Sequence, residues 1–141
     1  MMSKLLRGMG GIVAALAFTI ALLIAVELFS ALVHPTPADF DGSMAQMCEH
    51  VANYPDWVLA VVVPMWAGIA FAATWIAARI GNQACAILIG LLLLVGLVFN
   101  VTQLPYSLWF KVAILTAIPL AIGAALLVSA RPRDIPASVA G

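Results

Sequence analysis

The sequence predicts an all-α membrane protein, a bundle of four transmembrane helices. Two observations carry this. The 141 residues are 65% hydrophobic and 9% charged, with a mean hydropathy of +1.16, whereas soluble domains carry roughly 25% charged residues. The apolar residues also gather into four runs, at about 12–33, 57–78, 84–102 and 108–130. Each run is near the ~20 residues that cross a ~30 Å hydrocarbon core as a helix. So few charges cannot cover a water-facing surface, and backbone polar groups in lipid must be satisfied within their own segment, which selects helices. The alternation of a membrane β-barrel is absent. The whole chain, 1–141, reads as a single membrane domain.

The first run follows Lys4 and Arg7 and is ended by Pro35 and Pro37. A cleaved signal peptide is the competing reading of residues 1–30. The basic start suits it, but the apolar run is long for a signal core, it contains Glu27, and Phe29 and Ala31 make a poor cleavage site. Pro55 precedes the second run, Gly81-Asn82 predicts a tight turn before the third, and Pro105 is placed near the first turn of the fourth. Pro64 and Pro119 fall inside the second and fourth runs, where each frees a carbonyl and predicts a kink. Their positions also suggest a parallel repeat of two halves, although the proline spacings in the halves differ.

Direction follows from the basic residues. Lys4, Arg7, Arg79, Arg131 and Arg133 share one side if there are four crossings, and the positive-inside rule makes that side the cytoplasm, with both termini there. Lys111, at the start of the fourth run, is the exception, and its long side chain can snorkel outward. The connection 34–56 has no Lys or Arg but holds Asp39, Asp41, Glu49 and Asp56, so it lies outside. Tyr54, Trp57, Tyr106 and Trp109 fall at the same outer boundary and Trp75 near the inner one, as an aromatic belt does.

The outer loop 34–56 predicts a short amphipathic helix. Ser43 with Gln46 three residues on reads as a capping box. Met44, Met47, Cys48 and Val51 then recur at helical spacing. The plain role is a cap on the bundle; the sharper one is a docking surface or a lid over a polar cavity.

Glu27, Ser30, His34 and Asn100 form the candidate polar site within the membrane. Glu27 lies about six residues, or ~9 Å, below the outer end of the first span, where an ionised side chain costs up to a few kcal/mol. Ser30 and His34 follow at i+3 and i+7, on the same helical face. Asn100, in a helix that also ends outside, comes to similar depth, which suggests a Glu27–Asn100 hydrogen bond. Such a group serves either as a protonatable site for transport or binding, or as a polar clasp between helices contributing ~0.6 kcal/mol.

Other chemistry finds little support. His34, Cys48, Glu49 and His50 look like a possible metal cluster in the outer loop, but Cys48 and His50 are two apart and point away from each other on a helix, and no CxxC or HxxxH spacing occurs. No metal or other cofactor is expected. Cys85, at the other end of a span from Cys48, cannot pair with it, and quinone-linked disulfide chemistry would need paired cysteines. No phosphate-binding glycine loop, nucleophile elbow or HExxH motif occurs, so no catalytic residues are assigned and an enzyme is disfavoured. The formal net charge of zero supplies no field for nucleic acid. Small-residue pairs at i, i+4, such as Gly68 with Ala72 and Ala86 with Gly90, allow close helix packing.

Glu27, Pro35-Thr36-Pro37, Pro55, Trp66-Ala67-Gly68, Ala77-Ala78-Arg79-Ile80 and Trp109-Phe110 together resemble a group of small bacterial four-span inner-membrane proteins. The resemblance covers most of the chain. It implies a multi-pass protein of the bacterial inner, or plasma, membrane and the four-helix topology, and it brings no activity with it.

Two functions are therefore expected. The first is a structural or accessory subunit of a larger membrane complex, with the lipid bilayer and a membrane-protein partner or a second copy as its contacts. The second is a small proton-coupled transporter or channel that uses Glu27. Small multidrug exporters are distant analogues, with four helices and a glutamate in the first, but their short loops differ from the long one here.

Overall fold

The computed structural model describes residues 2–130, so Arg131 and Arg133 of the expected cytoplasmic cluster lie outside the described residues. Five α-helices occur in the order α1 Met2–Val33, α2 Met44–Ala52, α3 Asp56–Ile76, α4 Gln83–Gln103 and α5 Leu108–Ala130, with a π-helical turn Ala77–Gly81 continuing α3. Four of them, α1, α3 with its π turn, α4 and α5, are long and apolar enough to cross a membrane. No strand occurs among the described residues.

Helix boundaries depart from the apolar runs where helix and hydrocarbon do not coincide. α1 starts at Met2, not near residue 12, because its first turns need only helix-forming residues, not apolar ones. Lys4, Leu5, Leu6 and Arg7 are exposed there. The turn expected at Gly81-Asn82 is made by Asn82 alone: Gly81 still belongs to the π turn, and Asn82 is fully extended at φ −161°, ψ 178°. Asn82 also caps α4, its side-chain oxygen accepting from the Cys85 N–H at 3.0 Å. Pro105 stands in the α4–α5 connection, ahead of the first turn of α5. Pro64 and Pro119 are accommodated inside α3 and α5.

α3 is the central element, packed on α5, α1 and α4. Val58, Val62 and Ile69 of α3 meet Ile114, Ile118 and Ile122 of α5 in the main core. In lipid, apolar burial does not by itself favour helix contact, so close packing and interhelical hydrogen bonds hold the bundle. Gly90 of α4 provides one such approach: a Cβ there would lie 2.8 Å from Ile122 Cγ2. At the helix starts, Trp109 Nε1–H of α5 donates to Asp56 Oδ1 of α3 at 2.9 Å.

α1 and the α3–α4 corner meet backbone to backbone. A Cβ on Gly11 would come within 2.5 Å of the Gly81 nitrogen. The Cys85 thiol donates to the Gly8 carbonyl at 3.7 Å, and Arg7 Nε–H to the Ile80 carbonyl at 3.4 Å. At the other end, hereafter the loop end, α1 is joined to α3 by the segment 34–55 that contains α2. The fold thus ties α1 tightly at one end and spans its other end with a loop, which positions the site.

Candidate functional site

All four candidate residues, Glu27, Ser30, His34 and Asn100, line one open cavity of about 420 Å³ at the loop end. Its volume lies within the few hundred Å³ of ordinary ligand sites. α1 supplies Glu27, Ser30 and His34 from one face, and α4 supplies Asn100 and Gln103, one turn apart. α2 forms the roof through Met47, His50 and Val51. Glu27, Ser30 and Asn100 also border a smaller cavity of about 60 Å³, set over Val62, Trp66 and Ile114, a space large enough for water. The hydrogen bond suggested between Glu27 and Asn100 is not among those of the described residues. The two side chains share cavity walls instead, and Glu27 is exposed.

The roof is seated by aromatic and apolar contacts. Ser43 Oγ accepts from the Gln46 N–H at 3.3 Å and starts α2. Gln46 does not complete a reciprocal box with Ser43. Its Oε1 accepts from Asp41 N–H at 2.7 Å, and the Ser43 N–H donates to Asp41 Oδ1 at 2.7 Å. That backbone donor from Ser43 holds the Asp41 carboxyl below its ordinary range. Further along α2, the His50 ring stacks on His34, with centroids 4.4 Å apart and planes inclined by 22°. Tyr54 packs against both rings, at 4.6 Å from His34 and 5.3 Å from His50. Val51 is buried beneath the roof, and Cys48 Sγ lies 4.0 Å from the Gln103 carbonyl of α4.

The electrostatics favour neutral donors around one carboxylate. Burial, then the neighbouring His34, lowers the His50 pKa below its usual 6.5. Burial raises the Tyr54 phenol, and burial with the nearby Tyr54 and Glu27 pushes Tyr106 up to about 12. Both phenols therefore stay protonated and able to donate at neutral pH. Among the residues lining the two cavities Glu27 is the one carboxylate, and no Lys or Arg joins it. Among the described residues no group of three or more His, Cys, Asp or Glu is placed to hold a metal ion, and both cysteines are free.

Sequence reasoning did not assign His50, Tyr54, Tyr106 and Gln103 to this site. Tyr54 and Tyr106 read as belt anchors, yet both border the cavities. A signal for the roof was present. Met47, His50, Val51 and Tyr54 recur at i, i+3, i+4 and i+7, a second helical stripe beside the one through Cys48.

What fold and site define is a class, a multi-pass helical membrane bundle with a polar cavity at one end. Comparison with protein-family models, with curated proteins and with solved structures finds no match to this chain.

Proposed function

We propose that this protein binds a small ligand in the loop-end cavity and couples binding to a proton on Glu27, as a small proton-coupled transporter does. The observation that carries the reading is the convergence of Glu27, Ser30, His34 and Asn100, from two helices, on the wall of one ligand-sized cavity. A lone carboxylate among neutral donors exchanges a proton for a cationic ligand with no other change of charge. The accompanying topology places both termini in the cytoplasm and the loop end outside, in a bacterial plasma membrane. Its support is the position of Lys4, Arg7 and Arg79 at the end opposite Asp39, Asp41 and Glu49.

The test uses liposomes containing the protein and a trapped pH-sensitive dye. Tetrapropylammonium, a cation without an exchangeable proton, is added outside. Wild type moves protons on addition and Glu27→Gln does not. Equal proton flux in the two excludes Glu27 as the coupling site.

A second reading is an accessory subunit of a membrane complex, with a partner helix or a second copy against α1. The specific support is burial: the apolar stretch of α1 is the least buried of the four, at 17%, against 22% for α5 and 33% for α3 and α4. Purification in mild detergent then yields a stoichiometric membrane partner or a homo-oligomer. Recovery of a bare monomer defeats this reading.

A further inference from the structure

A third space, of about 290 Å³, adjoins the first two toward the middle of the bundle, walled by α1, α3 and α4, and Asn100 borders all three. The wall on α1 runs His34, Ser30, Glu27, Leu23, Thr19, one residue per turn on a single face. The facing wall on α4 runs Gln103, Asn100, Gly96, Leu93. Both walls change from polar to apolar at the same level. The Thr19 hydroxyl is already satisfied by the Ala15 carbonyl at 2.8 Å, so the deep end offers no free donor there. Exposed Leu92 and Phe99 on α4 edge the groove, which opens sideways. Gly96 leaves it unfilled, since a Cβ there meets nothing within 4 Å.

We infer that this groove holds one membrane phospholipid with a primary-ammonium headgroup, entering sideways from the leaflet at the loop end. The inference deepens the reading of the cavity as a ligand site and rests on it. Three features select the occupant. From His34 at the groove mouth to Thr19 is fifteen residues, ~22 Å, enough to take in the ~15 Å of one leaflet's hydrocarbon, with Glu27 ~10 Å below the mouth, so the headgroup is drawn inward to meet it. The polar end lies toward the loop and the apolar end toward the bundle centre, as a lipid of that leaflet is oriented. The formal charge on the groove is the Glu27 carboxylate, with no Lys or Arg among the residues lining these spaces. It complements an ammonium and opposes an anionic headgroup, while Tyr54, Tyr106, Asn100 and Gln103 in the lining are neutral groups able to donate to a phosphate.

Native mass spectrometry of the full chain in detergent tests this, with phosphatidylethanolamine and phosphatidylglycerol of identical acyl chains added in equal amounts. Wild type is expected to retain phosphatidylethanolamine over phosphatidylglycerol by about tenfold. Glu27→Gln removes that preference while still retaining lipid. Gly96→Leu, which fills the groove without meeting a neighbour at its Cβ, lowers retention of both lipids. Equal retention of the two lipids by wild type, a preference that survives Glu27→Gln, or a lipid-free dimer burying the groove overturns the inference. Selective lipid retention without tetrapropylammonium-driven proton flux leaves the lipid site standing and removes the transporter reading. Glu27-dependent flux without selective retention does the reverse.

Discussion

The imidazole of His50 on α2 lies stacked on that of His34 at the end of α1, 4.4 Å between centroids. This contact joins the roof of the cavity to its wall, and it is sensitive to protonation because His50 is held below its ordinary pKa by burial and by His34. The docked roof prefers neutral His50, and the undocked state takes up protons near 6.5. The contribution is therefore complete above pH 6.5 and is lost as pH falls from there through the depressed value. Glu27 borders the same cavity, and Asp39 and Glu49 border the adjoining one, so the carboxylates facing the pair moderate the loss. Amide-exchange protection of α2, corrected for intrinsic rates, should fall between about pH 7.5 and 5. His50→Gln should flatten the profile. Protection that stays constant in wild type over this range would sink the idea.

Gly11 and Gly10 make a matched pair. A Cβ on Gly11 would meet the Gly81 nitrogen at 2.5 Å and its Cα at 2.8 Å, both backbone atoms that cannot rotate away. A Cβ on Gly10 meets nothing within 4 Å. Gly11→Ala should therefore force α1 off the π turn and destabilise the bundle by about 1–3 kcal/mol. Gly10→Ala should be neutral or stabilising by up to about 1 kcal/mol, from helix propensity alone. Thermal unfolding in one detergent compares the two, and equal shifts would show that the helix crossing is looser than the geometry requires.

Thr74 on α3 is fully buried, and its hydroxyl has no hydrogen-bond partner among the described residues. Thr19 is also buried, but its hydroxyl is bonded to the Ala15 carbonyl. A buried hydroxyl left unpaired costs about 1–3 kcal/mol, and an apolar group of the same shape removes that cost. Thr74→Val should raise the unfolding temperature, whereas Thr19→Val should leave it unchanged or lower it. A fall in Thr74→Val would mean that the hydroxyl is satisfied by a group such as water.

The spans are legible in the sequence because lipid imposes a strict requirement. Each crossing needs a long apolar run, and 57–78 and 84–102 stand out between Pro55, Asn82 and Pro105. The far end of α1 is not legible from hydropathy, since its glycines Gly8, Gly10 and Gly11 are poor helix formers and the segment is held instead by contacts at the α3–α4 corner with Ile80, Gly81 and Cys85. The α1 side of the site is legible because Glu27, Ser30 and His34 share a face by spacing alone. His50 and Tyr54 join it only when α2 folds back over α1. That placement depends on the conformation of the 34–43 connection, which has no periodicity to read. Tyr106 illustrates a different difficulty. Interfacial position and cavity lining call for the same residue type, so sequence alone does not separate them.

Glu27 and Asn100 decide between a clasp and a cavity. If their side chains formed an interhelical hydrogen bond that held register, removing both would cost less than the sum of the single removals, by a coupling of about 0.6 kcal/mol and at most about 1.7. The structure has them border common cavities, with Glu27 exposed. In that arrangement neither depends on the other for satisfaction. A double-mutant cycle with Glu27→Gln and Asn100→Leu, read by unfolding in detergent, should then give a coupling within about 0.3–0.5 kcal/mol of zero, as for independent sites. Coupling should appear instead in ligand retention, because both residues border the space a headgroup occupies. A stability coupling near the upper figure, with lipid retention unaffected by either change, would make the pair a structural clasp and remove the cavity's claim to a ligand.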